Sequence, residues 1–139
     1  MLKNIPKIIP PELLKILCEM GHGDEIVIAD GNFPSESTGE RVVRMDGHNV
    51  PEILKAVLEL FPLDIYEKPV YIMEKVKGDP VETPIWEVYK DIVSGHTKSE
   101  IEQIERFKFY ERAKTAYCVV ATGEGALYAN IILKKGVVV

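Results

Sequence analysis

The 139-residue chain is poor in cysteine and tryptophan, with two of the first and one of the second. Cys18 and Cys118 each sit in an apolar segment. Two cysteines do not make the framework of a secreted disulfide scaffold, so both read as buried thiols packing as small hydrophobes. No apolar run approaches the roughly 20 residues that a membrane span needs. The stretch Met1-Leu2-Lys3-Asn4-Ile5-Pro6 lacks the apolar core of a secretion signal. The expected location is cytoplasmic, with no membrane partner. Basic charge is not in excess: 17 Lys and Arg face 22 Asp and Glu, a net charge of −5. A nucleic-acid surface usually needs a basic stripe, and the only adjacent basic pair here is Lys134-Lys135. Also missing are G-x-G-x-x-G, a Walker loop and G-x-S-x-G, so neither nucleotide binding nor nucleophile-elbow hydrolysis has a motif behind it. There is no repeat, low-complexity tract or linker.

What is present is an ordinary globular composition. Hydrophobic residues make up 46% and charged residues 28%, too apolar for disorder. The length suits one domain over residues 1–139, with a core that needs no disulfide or metal. A helix is predicted over 11–20, with Pro11 in its first turn and Gly21 at its end. Glu25-Ile26-Val27-Ile28-Ala29 reads as a central, fully buried strand, closed by Asp30 and the turn Gly31-Asn32. Residues 41–45 read as a second strand. Asn49 and Glu52 resemble a capping box before a helix with the stripe Ile53, Leu54, Val57, Leu58 and Phe61, stopped by Pro62. A third strand is predicted over 70–73, then a turn at Gly78-Asp79-Pro80. A helix from Thr83-Pro84 to Val93 ends at Gly95. Ser99 and Glu102 form a second capping-box candidate, and Phe109 to Ala116 reads as helical. The last strands are 117–121 and 131–133. Alternating strands and helices imply an α/β layered domain with a parallel or mixed sheet. Ligands in such folds gather at the carboxyl ends of strands, which points to Asp30 and to the turn after Ala121.

Three clusters can carry chemistry. In Gly21-His22-Gly23-Asp24, a histidine between glycines precedes a buried strand. Imidazole suits proton exchange near neutral pH, and Asp30 can accept hydrogen bonds from a polyol or pair with the histidine. The plain alternative is a solvated histidine in a helix-ending loop. His22, Asp24 and Asp30 make a weak metal set, with no H-x-x-x-H or cysteine pair beside them. His48 and His96 read as solvated. In the second cluster, Glu105 to Arg112, Arg106 and Tyr110 are four apart and share a face if helical; the alternative is a surface or subunit contact. In the third, Thr122 to Asn130, Tyr128 offers an aromatic face and a hydroxyl, and Asn130 an amide. A pyranose packs its C–H face on aromatic rings and pairs its hydroxyls with amides and carboxylates. The alternative is a hairpin-like loop with an ordinary tyrosine at a strand start.

Taken in order, these stretches resemble the fucose mutarotases of the ribose pyranase/fucose mutarotase (RbsD/FucU) superfamily. The matching residues are Glu19 to Glu25 with Asp30, Phe33-Pro34, Pro62-Leu63-Asp64, Ile104 to Phe107, Phe109 to Ala113, Ala121 to Glu124, Tyr128 to Leu133 and Lys135-Gly136. The resemblance covers essentially the whole chain. It implies interconversion of the α and β anomers of L-fucose with no cofactor or metal. It also implies a three-layer α/β/α fold with a parallel or mixed central sheet, and a homo-oligomeric ring, often a decamer, with sites near subunit boundaries. Carried over, His22 resembles the acid/base. Asp30, Arg106, Tyr110, Tyr128 and Asn130 resemble sugar contacts, and Asp64 matches a site carboxylate of the animal members. Arg106 and Tyr110 resemble the fucose branch, since ribose pyranases typically carry a histidine and no tyrosine in that stretch. Ala129 occupies a place where fucose-type sequences often have glycine. Two rivals remain: a D-ribose pyranase, and a non-catalytic monosaccharide-binding module.

Overall fold

The computed structural model describes residues 1–139. Its elements in chain order are α1 (Pro11–Glu19), β1 (Glu25–Ala29), α2 (Ser35–Thr38), β2 (Val42–Met45), α3 (Val50–Leu58), β3 (Val70–Met73), α4 (Ile85–Ser94), β4 (Glu102–Ile104), α5 (Arg106–Thr115), β5 (Cys118–Thr122) and β6 (Ile131–Lys134). The strands form one sheet in the order β2-β5-β1-β6-β3-β4. β1 and β2 both run parallel to β5, and β3 runs parallel to β4. β6 is antiparallel to β1 and to β3. The other five strands therefore point the same way and bring their carboxyl ends, together with the start of β6, to one edge of the sheet.

Side chains alternate across a strand, and β1 divides the core accordingly. Ile26 and Ile28 pack with Leu13 of α1, Ile53 and Leu54 of α3 and Tyr89 of α4. Val27 and Ala29 pack on the opposite face with Phe109 and Ala113 of α5. The result is the expected α/β/α layering around a mixed sheet. Local chemistry explains some of the boundaries. Glu52 accepts the backbone N–H of Asn49 at 3.0 Å at the start of α3, half of the reciprocal capping that the sequence suggests. The carbonyls of Leu17 in α1 and of Met20 just beyond its end receive the Lys135 ammonium at 2.9 and 2.5 Å, a cation where the helix dipole is negative.

Several sequence readings need correction. Ser99 and Glu102 cap no helix: Glu102 begins the edge strand β4 and pairs with Tyr71. The S-x-x-E spacing precedes only three strand residues, with no apolar helical stripe behind it. α5 starts at Arg106, not Phe109, because the Glu105 carboxylate accepts the N–H groups of Phe107 and Lys108 at 3.0 and 3.1 Å. α3 ends at Leu58, before Pro62 is reached. Cys18 is exposed on α1 and only Cys118 is buried. Burial raises the Cys118 thiol pKa to about 12. β5 and β6 flank β1 instead of pairing with each other, so residues 123–130 cross over the end of β1 and form no hairpin.

Candidate active site

The sheet edge where the parallel strands end carries an open cavity of about 270 Å³. Asp30 follows β1, Met73 ends β3, Arg106 follows β4, and Asn130 precedes β6. With Tyr110 of α5 and Tyr128 of the crossing loop, they line one space. Five of the seven residues singled out in the sequence are thereby brought together: Asp30, Arg106, Tyr110, Tyr128 and Asn130. Arg106 and Tyr110 do share a helix face.

Asp30 is 6% exposed. Its carboxylate accepts the N–H of Asn32 at 3.0 Å and of Ala129 at 3.3 Å. Burial pushes its pKa above the usual carboxylate value. The N–H groups of Asn32, Ala129 and Phe33 pull it back, and the nearby charge of Glu124 adds to the rise. The Asn130 side-chain carbonyl accepts the Asp30 N–H at 2.8 Å, which leaves the amide NH2 as the group to donate to a ligand. Tyr110 stacks on Phe33 with ring centroids 5.5 Å apart. The Arg106 guanidinium lies over the exposed Phe107 ring, 4.7 Å from its centroid. Tyr128 is not a strand-start residue: it occupies a turn with φ +54°.

The crossing loop is held from below. Glu124 accepts the N–H groups of Val50 and Ala126, and its own carbonyl receives the Gly31 N–H at 2.8 Å. Gly123 is required by space, since a Cβ there would stand 2.0 Å from the Asp46 carbonyl oxygen.

His22 and Asp64 lie elsewhere. His22 precedes β1 and Asp64 precedes β3, so both sit at the amino-end edge of these parallel strands. The five residues of β1 alone put ~16 Å between His22 and Asp30 at ~3.3 Å per residue. The carboxylate partner of His22 is therefore Asp64, not Asp30: Nε2 lies 3.1 Å from Oδ1. Asp64 is 2% exposed and also accepts the N–H groups of Ile65, Tyr66 and Glu67. Burial works against its charge, yet the His22 ring and these N–H groups hold its pKa below the usual value. The Tyr66 ring lies 5.6 Å from the His22 ring. The loop itself is rigidly tied. Asp24 accepts the Gly21 N–H at 2.7 Å, and backbone bonds join Gly23 and Asp24 to Lys135. Gly23 supplies φ +87°, a conformation that favours glycine. Asp24 is thus a turn-closing residue, and His22, Asp24 and Asp30 do not converge on one point as ligands within one chain.

Sequence reasoning missed Asp79, Val76 and Leu127, which also line the cavity. Asp79 was legible only as part of a turn. The rule that found Asp30, applied to the segment after β3, would have found it.

A sequence profile of the RbsD / FucU transport protein family matches residues 3–138. The chain is similar to the fucose mutarotase of Mus musculus, 52% identical over 97% of this chain and 94% of that protein. Among solved structures it is similar to FucU from Bifidobacterium longum: 63% identity and a TM-score of 0.96, covering 99% of this chain and 100% of the other. A fucose mutarotase in complex with L-fucose from Streptococcus pneumoniae gives 53% identity and a TM-score of 0.93 with the same coverage. RbsD of Bacillus subtilis complexed with D-ribose is more distant, at 25% identity and a TM-score of 0.78 over the full length of both chains.

Proposed function

The chain belongs to the RbsD / FucU family, and on that premise we propose that it is an isomerase, a fucose mutarotase that interconverts the α and β anomers of L-fucose. The observation that carries this reading is the convergence of Asp30, Arg106, Tyr110, Tyr128 and Asn130 on one open cavity. Its volume lies just below the about 300–1,000 Å³ of drug-sized sites, and its lining mixes acceptors, donors and aromatic faces as a monosaccharide requires. Identity of 53% to a fucose-bound relative, against 25% to a ribose-bound one, favours the fucose branch over a D-ribose pyranase.

Mutarotation breaks the C1–O5 bond of the hemiacetal, lets the aldehyde rotate about C1–C2, and recloses the ring. Opening delivers a proton to the ring oxygen and removes one from the anomeric hydroxyl; closing reverses both. Positioned acid–base groups contribute about 10²–10⁴-fold. No cofactor or metal is needed for such a step. In our reading His22 performs one transfer, held in orientation by Asp64, and a water, tyrosine or carboxylate relays the other. Asp30 and Asn130 hold hydroxyls away from C1.

Because His22 and the Asp30 cavity lie at opposite edges of the sheet, the proposed site is completed between subunits. Exposed apolar side chains support this. Ile65 and Tyr66, 78% and 72% exposed, adjoin Asp64, while Phe107 and Leu127, 62% and 49% exposed, adjoin the cavity. Two different patches on one chain make a head-to-tail contact, which closes into a ring when the rotation allows. A decameric ring is the assembly we propose. Two unpaired cysteines suit a reducing, cytoplasmic compartment.

The test is anomer exchange followed by saturation-transfer proton NMR, with L-fucose and D-ribose in parallel. Faster exchange between the fucose anomeric signals, exceeding the effect on ribose, is the expected result. Acceleration of ribose interconversion alone would shift the reading to the pyranase. Sugar binding without any acceleration would leave a binding module.

A further inference from the structure

The segment joining β3 to α4 carries three carboxylates, Glu74, Asp79 and Glu82, and of these only Asp79 lines the cavity. The segment bends at Gly78, whose φ is +86°, and is braced within itself. The Asp79 N–H donates to the Val76 carbonyl, the Val81 N–H donates to Asp79 Oδ1 at 3.0 Å, and the Lys75 ammonium donates to the Val81 carbonyl at 2.9 Å. Side-chain hydrogen bonds tie it to the cavity through Tyr128. The Tyr128 hydroxyl donates to Asp79 Oδ2 at 2.5 Å and accepts the Val76 N–H at 3.3 Å. The other end of Tyr128 is fixed as well, since its carbonyl accepts the Trp86 indole N–H at 2.8 Å.

We infer that Asp79 is a positioning residue that sets the hydrogen-bond polarity of Tyr128, so that the phenol oxygen meets the sugar as an acceptor only. A tyrosine hydroxyl has one proton and two lone pairs. Here the proton is committed to a carboxylate and one lone pair to a backbone N–H. The remaining lone pair can take a proton from a sugar hydroxyl, and the group has nothing left to donate. The carboxylate also holds the phenol proton more firmly, raising the Tyr128 pKa while its own is lowered. Charge-assisted bonds of this kind are short and stronger than neutral ones. Tyr128 and Asp30 then both accept, while Asn130 and Arg106 donate, so the cavity reads the donor and acceptor sense of successive hydroxyls.

The inference rests on the mutarotase reading, and Asp79→Asn tests it. The Val81 N–H keeps the amide oxygen on its side, so the NH2 group faces Tyr128 and donates to it. The phenol proton is then turned out toward the sugar. Rate measurements by anomer-exchange NMR and L-fucose titrations by calorimetry would be made on the wild type, Asp79→Asn, Tyr128→Phe and the double variant. Asp79→Asn should raise KM and Kd for L-fucose about tenfold, with kcat changed less than about twofold, the size of one lost hydrogen bond. The double variant should be no worse than Tyr128→Phe alone, because Asp79 acts only through the hydroxyl. A KM within twofold of wild type, or losses that add in the double variant, would overturn the inference. A wild type that binds fucose without exchanging its anomers sinks the mutarotase reading and leaves the Kd comparison to decide the inference; a wild type that binds no fucose overturns both.

Discussion

Asp30 and Asp64 are both nearly inaccessible carboxylates, and their surroundings push them in opposite directions. Burial dominates at Asp30 and raises its pKa, with Glu124 adding to it. At Asp64 the imidazole of His22 and three N–H groups outweigh burial and lower it. A lowered pKa means that the folded state binds fewer protons than the unfolded chain near pH 4. Asp64 therefore contributes stability that is present in full above the ordinary value of 3.8 and lost as pH falls through its folded pKa. Asp64→Asn should cost about 2 kcal/mol at pH 7, the scale of hydrogen bonds to a charged group. The deficit should shrink toward zero as pH drops below 4. Urea unfolding from pH 3 to 7 checks this, and a pH-independent deficit would show that the charge is irrelevant. Asp30, His22 and Asn130 were legible as chemistry-bearing residues because each stands at an end of a readable strand. That His22 pairs with Asp64, 42 positions away, was not legible, because pairing depends on how β1 and β3 are placed.

At the level of elements, the long amphipathic helices and apolar strands announced themselves, and the short ones did not. α2 has four residues and β4 three, too few for a period to emerge. β4 exists because it pairs with β3, a long-range contact that no local pattern encodes. The crossing loop after β5 is where element packing is tightest. Its Gly123 N–H donates to the His48 carbonyl at 2.9 Å, and the Asp46 carbonyl leaves no room for a side chain. Gly123→Ala should cost about 2–3 kcal/mol, the range for forcing atoms into a packed site. It should also weaken sugar binding, because Glu124 and the Asp30 turn hang from the same loop. Thermal unfolding and fucose titration measure the two effects; an alanine variant of wild-type stability would contradict the close approach.

At the scale of the whole molecule, the two edges of one sheet hold two parts of one proposed site. If each site draws Asp30 from one chain and His22 from the next, then His22→Ala and Asp30→Ala should each be inactive alone. Coexpressed in equal amounts they should recover about one quarter of wild-type activity, since each of the two contributors is intact in about half of the chains of a head-to-tail ring. Recovery no greater than the residual of either variant would place the site within one chain. Residue types, strand ends and hydrophobic periodicity determined the class of fold and pointed to Asp30 and the turn after Ala121, because strand ends mark an α/β sheet's binding edge wherever the strands are put. Arg106, Tyr110, Tyr128 and Asn130 stood out as clusters of suitable side chains, and only the resemblance to a known family made them sugar contacts. Only the tertiary structure decided that β6 runs against its neighbours and brings Asn130 to that edge, that His22 belongs to the other edge, and that Asp79 grips Tyr128. Those facts follow from strand order and direction, which are set by the packing of helices on both faces at once and by no local stretch of sequence.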